Sequence, residues 1–153
     1  MDRVIRLTVT LLVGESVRMT SALISDVQRN LASNPDPDGV EARAALLVAR
    51  EIGMSTADLS VGASDRWTFA SLAISECIDR FFEGMTDHLS LSVNLPDPIT
   101  ESADEMRDSM RSLLIDLVDL YANAATEGTA PPWRRLAWAS AAQHLDRALR
   151  ELP

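Results

Sequence analysis

The sequence contains no lysine, and all 14 of its basic side chains are arginine. Schiff-base chemistry on a lysine is therefore excluded, and arginine is too firmly protonated to act as a general base. Cys77 is the only cysteine, which excludes an intramolecular disulfide and a cluster of thiolate ligands within one chain. Because a lone free cysteine is typical of reducing compartments, we expect a cytoplasmic protein.

Long apolar runs are also missing. The stretch 7–13 follows Arg3 and Arg6 as in a signal peptide, but it is short, and Gly14-Glu15-Ser16 makes a poor cleavage site. No stretch has the length needed to cross a bilayer. We therefore expect neither a signal peptide nor a membrane span.

Positive charge is scarce, with 23 acidic residues against 14 basic ones and a formal net charge of −9. Proteins that bind nucleic acids or anionic membranes usually present a basic surface, because neutralising phosphates supplies most of their affinity. The balance argues against both classes. It suits solubility, and it also suits a basic protein partner, which an acidic surface attracts.

The helical periodicity predicts one domain, 1–153, that folds as an all-α bundle of four or five helices. Its 46% hydrophobic and 24% charged residues are ordinary for a globular protein of 153 residues. Two capping-box spacings, Asp38 with Glu41 and Ser102 with Glu105, mark helix starts. The predicted helices are 38–52, 64–82, 102–125 and 133–152.

Two stretches alternate apolar and polar residues in the manner of half-buried strands, 89–95 and about 4–13. They would pair as a minor two-stranded element. The first stretch equally fits helical steps of three and four residues that continue to Leu31. Because that stripe is unbroken, a long first helix over about 2–32 is the favoured alternative.

The helix 64–82 carries apolar residues on opposite sides. Trp67 belongs to one face, whereas Phe69 and Leu72 belong to the other. A helix covered twice lies in the middle of a bundle or in a dimer interface, so we expect a homodimer. Trp133 follows two prolines and is the tryptophan we expect at the surface, and these four side chains are the interface candidates.

One local stretch, 48–60, resembles the core of a helix-turn-helix. Ala49 precedes Gly53 by four residues, which would allow close helix approach and then a turn. The resemblance implies DNA binding by the second helix, 55–61. That helix lacks basic residues and contains Asp58, so nucleic acid is an improbable ligand.

Glu76 is the main candidate for acid–base chemistry. If the second face of its helix is covered, burial would raise its pKa, as general acids and bases require. Arg80 lies four residues on and would pair with it, and His144 or His88 would complete a dyad. The simpler interpretation is a salt-bridged glutamate and two boundary histidines.

No metal site or cofactor is expected. Neither histidine lies three residues after a glutamate, as the di-iron bundles need. The first functional hypothesis is therefore a non-catalytic interaction protein, a regulator, inhibitor or accessory subunit. The alternatives are an enzyme or ligand-binding bundle that uses Glu76, Arg80 and a histidine, and a regulator that acts through 48–60.

Overall fold

In the part of the chain that the structure describes, five helices form the bundle that the periodicity predicts. The computed structural model describes residues 4–10, 19–59, 63–82, 88–94, 102–127 and 129–153. Within these ranges the helices are α1 (Met19–Ser33), α2 (Val40–Leu59), α3 (Ser64–Phe82), α4 (Ala103–Glu127) and α5 (Pro132–Glu151). The all-α class is confirmed. In the part of the chain that is described, no helix is both long and apolar enough to cross a membrane.

Two short strands accompany the helices. β1 (Val4–Thr10) and β2 (His88–Asn94) pair in parallel, with Val4 opposite His88 and Thr10 opposite Asn94. The long first helix over 2–32 is therefore wrong, since α1 begins at Met19. Alternating β-branched residues gain cross-strand partners only when the distant second strand is present. Positions 11–18 and 95 lie outside the described residues.

The centre of the bundle is α2. Its residues 45–49 are all buried, and it packs against α1, α3, α4 and β2. A helix that is apolar on all sides belongs in the interior. The expectation that 64–82 is the helix covered on both sides is wrong within this chain, because Phe69 and Leu72 are each 54% exposed.

The inner face of α3 is the one that the sequence predicts. Trp67, Ala70, Ile74 and Cys77 are each at most 1% exposed, and α3 packs against α2 and α5. Phe69 points elsewhere because two residues turn a helix by about 200° from Trp67. The outer face of α3 is open to solvent in the single chain.

Gly53 lies inside a continuous helix, since α2 runs unbroken from Val40 to Leu59. Over the described residues 48–59, the turn expected from the likeness to a helix-turn-helix is absent. A Cβ atom at Gly53 would overlap the Ser71 Oγ atom. The glycine therefore permits the close approach of α2 to α3.

The two predicted caps have different outcomes. At the start of α4, the Glu105 amide donates to Ser102 Oγ (3.2 Å) and the Ser102 amide donates to Glu105 Oε2 (3.3 Å), as the capping box requires. The prediction of a capping box at Asp38 and Glu41 is wrong. Glu41 accepts a hydrogen bond from Asn34 at 3.0 Å, and the Asp38 carboxylate faces α5.

Candidate functional site

An open groove of about 760 Å³ lies between the end of α1, the loop that follows it, the second half of α4 and the start of α5. Its floor and walls are largely apolar, and they include Leu31, Pro35, Leu120 and Trp138. A concave apolar surface with a few polar groups around it is the usual form of a binding site.

The groove exists because small side chains meet at this place. Ala32, Ala124 and Ala130 line it from α1, α4 and the residues before α5. Close packing would require larger side chains there. The prolines of the loop 34–39 hold the chain away from a helical path, which leaves the space between these elements unfilled.

Carboxylates follow one edge of the groove. Asp116, Asp119 and Glu127 line it from α4, and none of its described lining residues is basic. Their spacings of three and eight residues place them within one face of a helix. Asp116 accepts a hydrogen bond at 2.8 Å from the Gln28 amide. Among the described residues, Asp119 and Glu127 have no ion pair.

A buried ionic network holds one wall of the groove. Arg134 has a side chain only 9% exposed, and it binds both carboxylate oxygens of Asp38, with its Nε at 3.1 Å from Oδ2. The Trp138 indole N–H donates to Asp38 Oδ1 at 3.0 Å. The Arg134 guanidinium lies 5.8 Å from the centre of the Trp138 ring, within the range of a cation–π contact. The network joins the loop 34–39 to α5.

A second contact fastens the same loop to α4. The hydroxyl of Tyr121, a fully buried side chain, donates to the backbone oxygen of Pro37 at 3.2 Å. Burial raises the pKa of Tyr121 well above its ordinary value, because the phenolate form would lose its hydration. The phenol therefore stays protonated and keeps its donor. The loop that lines the groove is held from both sides.

The structure brings Glu76 and His144 together, although 67 residues separate them in the chain. His144 Nδ1 lies 3.5 Å from Glu76 Oε2, and Arg147 pairs with the same carboxylate. The hydrogen bond from Arg147 lowers the pKa of Glu76, and the charges of Arg147, His144 and Arg80 act in the same direction. The condition for a raised pKa is not met in the single chain, because the Glu76 side chain is 53% exposed rather than covered.

Two other acid–base candidates lie apart from this pair. Arg80 is exposed on α3 and acts on Glu76 through its charge, the weakest of the contributions that shift the pKa. Arg147 of α5, rather than Arg80, makes the ion pair. His88 begins β2 opposite Val4, and its side chain lies outside the described residues.

The interface candidates divide into one core residue and three surface residues. Trp67 is 1% exposed and belongs to the core of its own chain. Phe69 and Leu72 are exposed together on α3, and Trp133 is 68% exposed at the start of α5. The three exposed side chains are available for contact.

Cys77 is buried, and the described acidic residues form no candidate metal site. Burial raises the pKa of the Cys77 thiol to about 12, so it is not a nucleophile near neutral pH. Across the described ranges, no group of three or more His, Cys, Asp or Glu side chains is placed to hold a metal ion.

The groove itself was not predicted. Asp116 and Asp119 were recognisable as an acidic pair on one helix face, a pattern that usually marks a solvated surface. A further signal on the same helix is that Leu120 and Ala124, an apolar and a small residue, follow the acidic pair at helical spacing.

No family model, curated protein or solved structure matches this chain.

Proposed function

We propose that this chain is a non-catalytic interaction protein, a regulator, inhibitor or accessory subunit of the cytoplasm, that receives a basic protein partner in its acidic groove. The observation that carries the proposal is the apolar floor of the groove beside Asp119 and Glu127, carboxylates without an ion pair among the described residues. A partner would bury the floor and neutralise the edge at the same time.

The two parts of the groove would contribute differently. Each Å² of apolar floor removed from water stabilises a complex by roughly 25 cal/mol before the entropy of association is counted. The carboxylates contribute less to the affinity, but with the net charge of −9 they raise the rate of encounter with a basic partner. Affinity should therefore fall as ionic strength rises.

The test is recovery of partners from the native host by the wild-type chain and by two variants of equal charge. Asp119→Asn/Glu127→Gln neutralises the edge of the groove. Asp58→Asn/Asp79→Asn neutralises two exposed carboxylates that do not line it. A basic partner identified by mass spectrometry should bind the wild type and the control with equal Kd, measured by calorimetry, and the groove variant more weakly.

Two results would contradict the proposal. One is equal loss of affinity in both charge variants, which would show a general electrostatic attraction without a site. The other is a chain that retains no partner and instead turns over a metabolite, which would make it an enzyme.

We also propose a homodimer formed through the outer face of α3. The supporting observation is that Phe69 and Leu72 are large apolar side chains on adjacent turns and each is 54% exposed. Sedimentation velocity should show a dimer that Phe69→Ser/Leu72→Gln converts to monomer. A wild-type monomer at micromolar concentration would exclude this interface.

A second candidate function, in the class of enzymes or small-ligand binders, is supported by the proximity of Glu76 to His144. A carboxylate beside one imidazole nitrogen orients the ring for proton transfer, and Arg147 adds a cation for an anionic ligand. Glu76→Gln should then abolish turnover or ligand binding in a metabolite screen. If Glu76→Gln leaves every measured activity unchanged, the pair serves only the packing of α3 against α5.

A further inference from the structure

We infer that the segment received by the groove is an amphipathic α-helix with arginine or lysine along one flank. The inference rests on the proposed function, and it adds the conformation and the charge pattern of the partner. It is argued from the direction of the groove, from the backbone chemistry of its lining and from the positions of its carboxylates.

The groove follows the axis of α4. Its lining residues on this helix lie on one face from Asp116 to Glu127, a separation of eleven residues. At 1.5 Å per residue the lined length is about 16 Å, or three turns. An elongated segment of comparable length fills such a groove, whereas a compact ligand would occupy one end of it.

The lining favours a helix over an extended peptide. An extended chain binds well where a sheet edge supplies backbone partners. The described lining comes from helices and the loops beside them, and it includes apolar side chains such as Leu31 and Leu120. An extended backbone would leave its N–H and C=O groups unpaired on that floor, whereas a helix pairs them internally.

The seam between α1 and α4 also suits a helix geometrically. Side chains at steps of three and four residues form a ridge that fits between two neighbouring helices. Leu31 of α1 and Leu120 and Ala124 of α4 all line the groove. An apolar ridge on the partner would occupy this seam.

The charges define the flank of the partner. Asp116, Asp119 and Glu127 stand three and eight residues apart on α4, so cations at similar helical steps on the partner would meet them. A second copy of this chain is a poor occupant of the groove, because a segment bound there must bring cations to these carboxylates, whereas this chain has 23 acidic residues against 14 basic ones. The occupant is therefore a different, basic chain.

The test uses two fluorescein-labelled peptides of about 18 residues, long enough to form a helix on binding. One has leucines at helical spacing with arginines on one flank, and the other is a scrambled sequence of the same composition. Fluorescence anisotropy with the full chain should show the patterned peptide binding about tenfold more tightly, and circular dichroism should show helix formation on binding.

Protein variants locate the site. Ala32→Phe places a large side chain in the groove from an exposed position and should weaken binding of the patterned peptide about tenfold. Ala22→Phe is the matched control, because Ala22 is exposed on the same helix and does not line the groove. Asp119→Asn/Glu127→Gln should weaken binding about fivefold, whereas Asp58→Asn/Asp79→Asn should leave it unchanged. Thermal melts of each variant check that the fold is retained.

The outcomes separate this inference from the proposed function. If both peptides bind equally and only the groove variants weaken them, the partner is basic but its helical form is refuted, and the proposed function stands. If Ala32→Phe has no effect, the groove is not the site and both fail. A wild-type dimer that Ala32→Phe dissociates would make a second copy the occupant and would overturn the inference.

Discussion

Replacing Asp38 with alanine should destabilise the whole bundle, although Asp38 lies in a loop. The substitution removes the carboxylate that binds Arg134 through two nitrogens and accepts the Trp138 indole N–H. The guanidinium stays within the protein with a side chain only 9% exposed. Because an ion pair with a largely buried guanidinium is less screened by solvent than a surface pair, the effect should exceed that of a surface mutation.

The magnitude lies between two limits. Breaking a fully buried ion pair from one side costs about 3–5 kcal/mol, whereas exposed pairs contribute less than about 1 kcal/mol. The Asp38 side chain is 36% exposed, so solvent screens part of the interaction. We expect a loss of about 2–3 kcal/mol in the free energy of unfolding, which corresponds to a fall of about 6–10 °C in Tm for a chain of this size.

Urea denaturation and calorimetry would measure the effect. Asp26→Ala is the control, because Asp26 pairs with Arg29 on the surface with side chains 58% and 71% exposed, and it should cost less than about 1 kcal/mol. A double-mutant cycle of Asp38→Ala with Arg134→Met should give a coupling energy above about 1 kcal/mol. If Asp38→Ala lowers stability no more than Asp26→Ala does, the network does not hold the loop to α5.

Three further predictions concern single sites. Gly53→Ala should lower the free energy of unfolding by about 1 kcal/mol, because its Cβ would displace the Ser71 hydroxyl. In a Ser71→Ala background the same substitution should become stabilising, as measured by urea denaturation. Equal effects in both backgrounds would refute the contact. Arg147→Met should raise the pKa of Glu76 towards 4.5 in an NMR titration, because Arg147 is the main cause of its lowering. Since the folded pKa is the lower one, the stability that ionised Glu76 contributes is present above pH 4.5 and is lost as the pH falls through the folded pKa; an unchanged pKa in Arg147→Met would contradict this. Cys77, with a pKa of about 12, should resist iodoacetamide at pH 8 in the native chain and react after denaturation, and rapid native labelling would show that its burial is incomplete.

Local patterns predicted much of the fold because their causes lie within a few residues. The helix Ser64–Phe82 has the predicted bounds, because the spacing of apolar side chains that predicts a helix is a local property of the sequence. The capping box of Ser102 and Glu105 formed for the same reason. On the last helix, the buried apolar residues from Trp138 to Ala148 follow steps of three and four residues, as one face of a helix requires.

Other residues satisfied a local rule and yet serve a distant partner. Gly53 suits the end of a helix, but the position of Ser71 on α3 makes it a contact glycine inside one. Asp38 suits a helix cap, but Arg134 lies 96 residues away and binds its carboxylate more strongly than backbone amides would. The sequence pattern alone does not predict that Ser71 and Arg134 lie beside these residues, because their distance in space depends on how the helices pack.

The amino-acid sequence alone therefore determines that the fold is mainly helical and where most helices begin and end. It also determines that the net charge is negative and that Schiff-base chemistry on a lysine is excluded. The pairing of Glu76 with His144 and the groove beside Asp119 depend on packing. The groove arises where alanines from three separate segments meet, and a missing side chain creates a cavity only when its neighbours are also small. That condition is set by the arrangement of helices in space, which no short stretch of the chain contains.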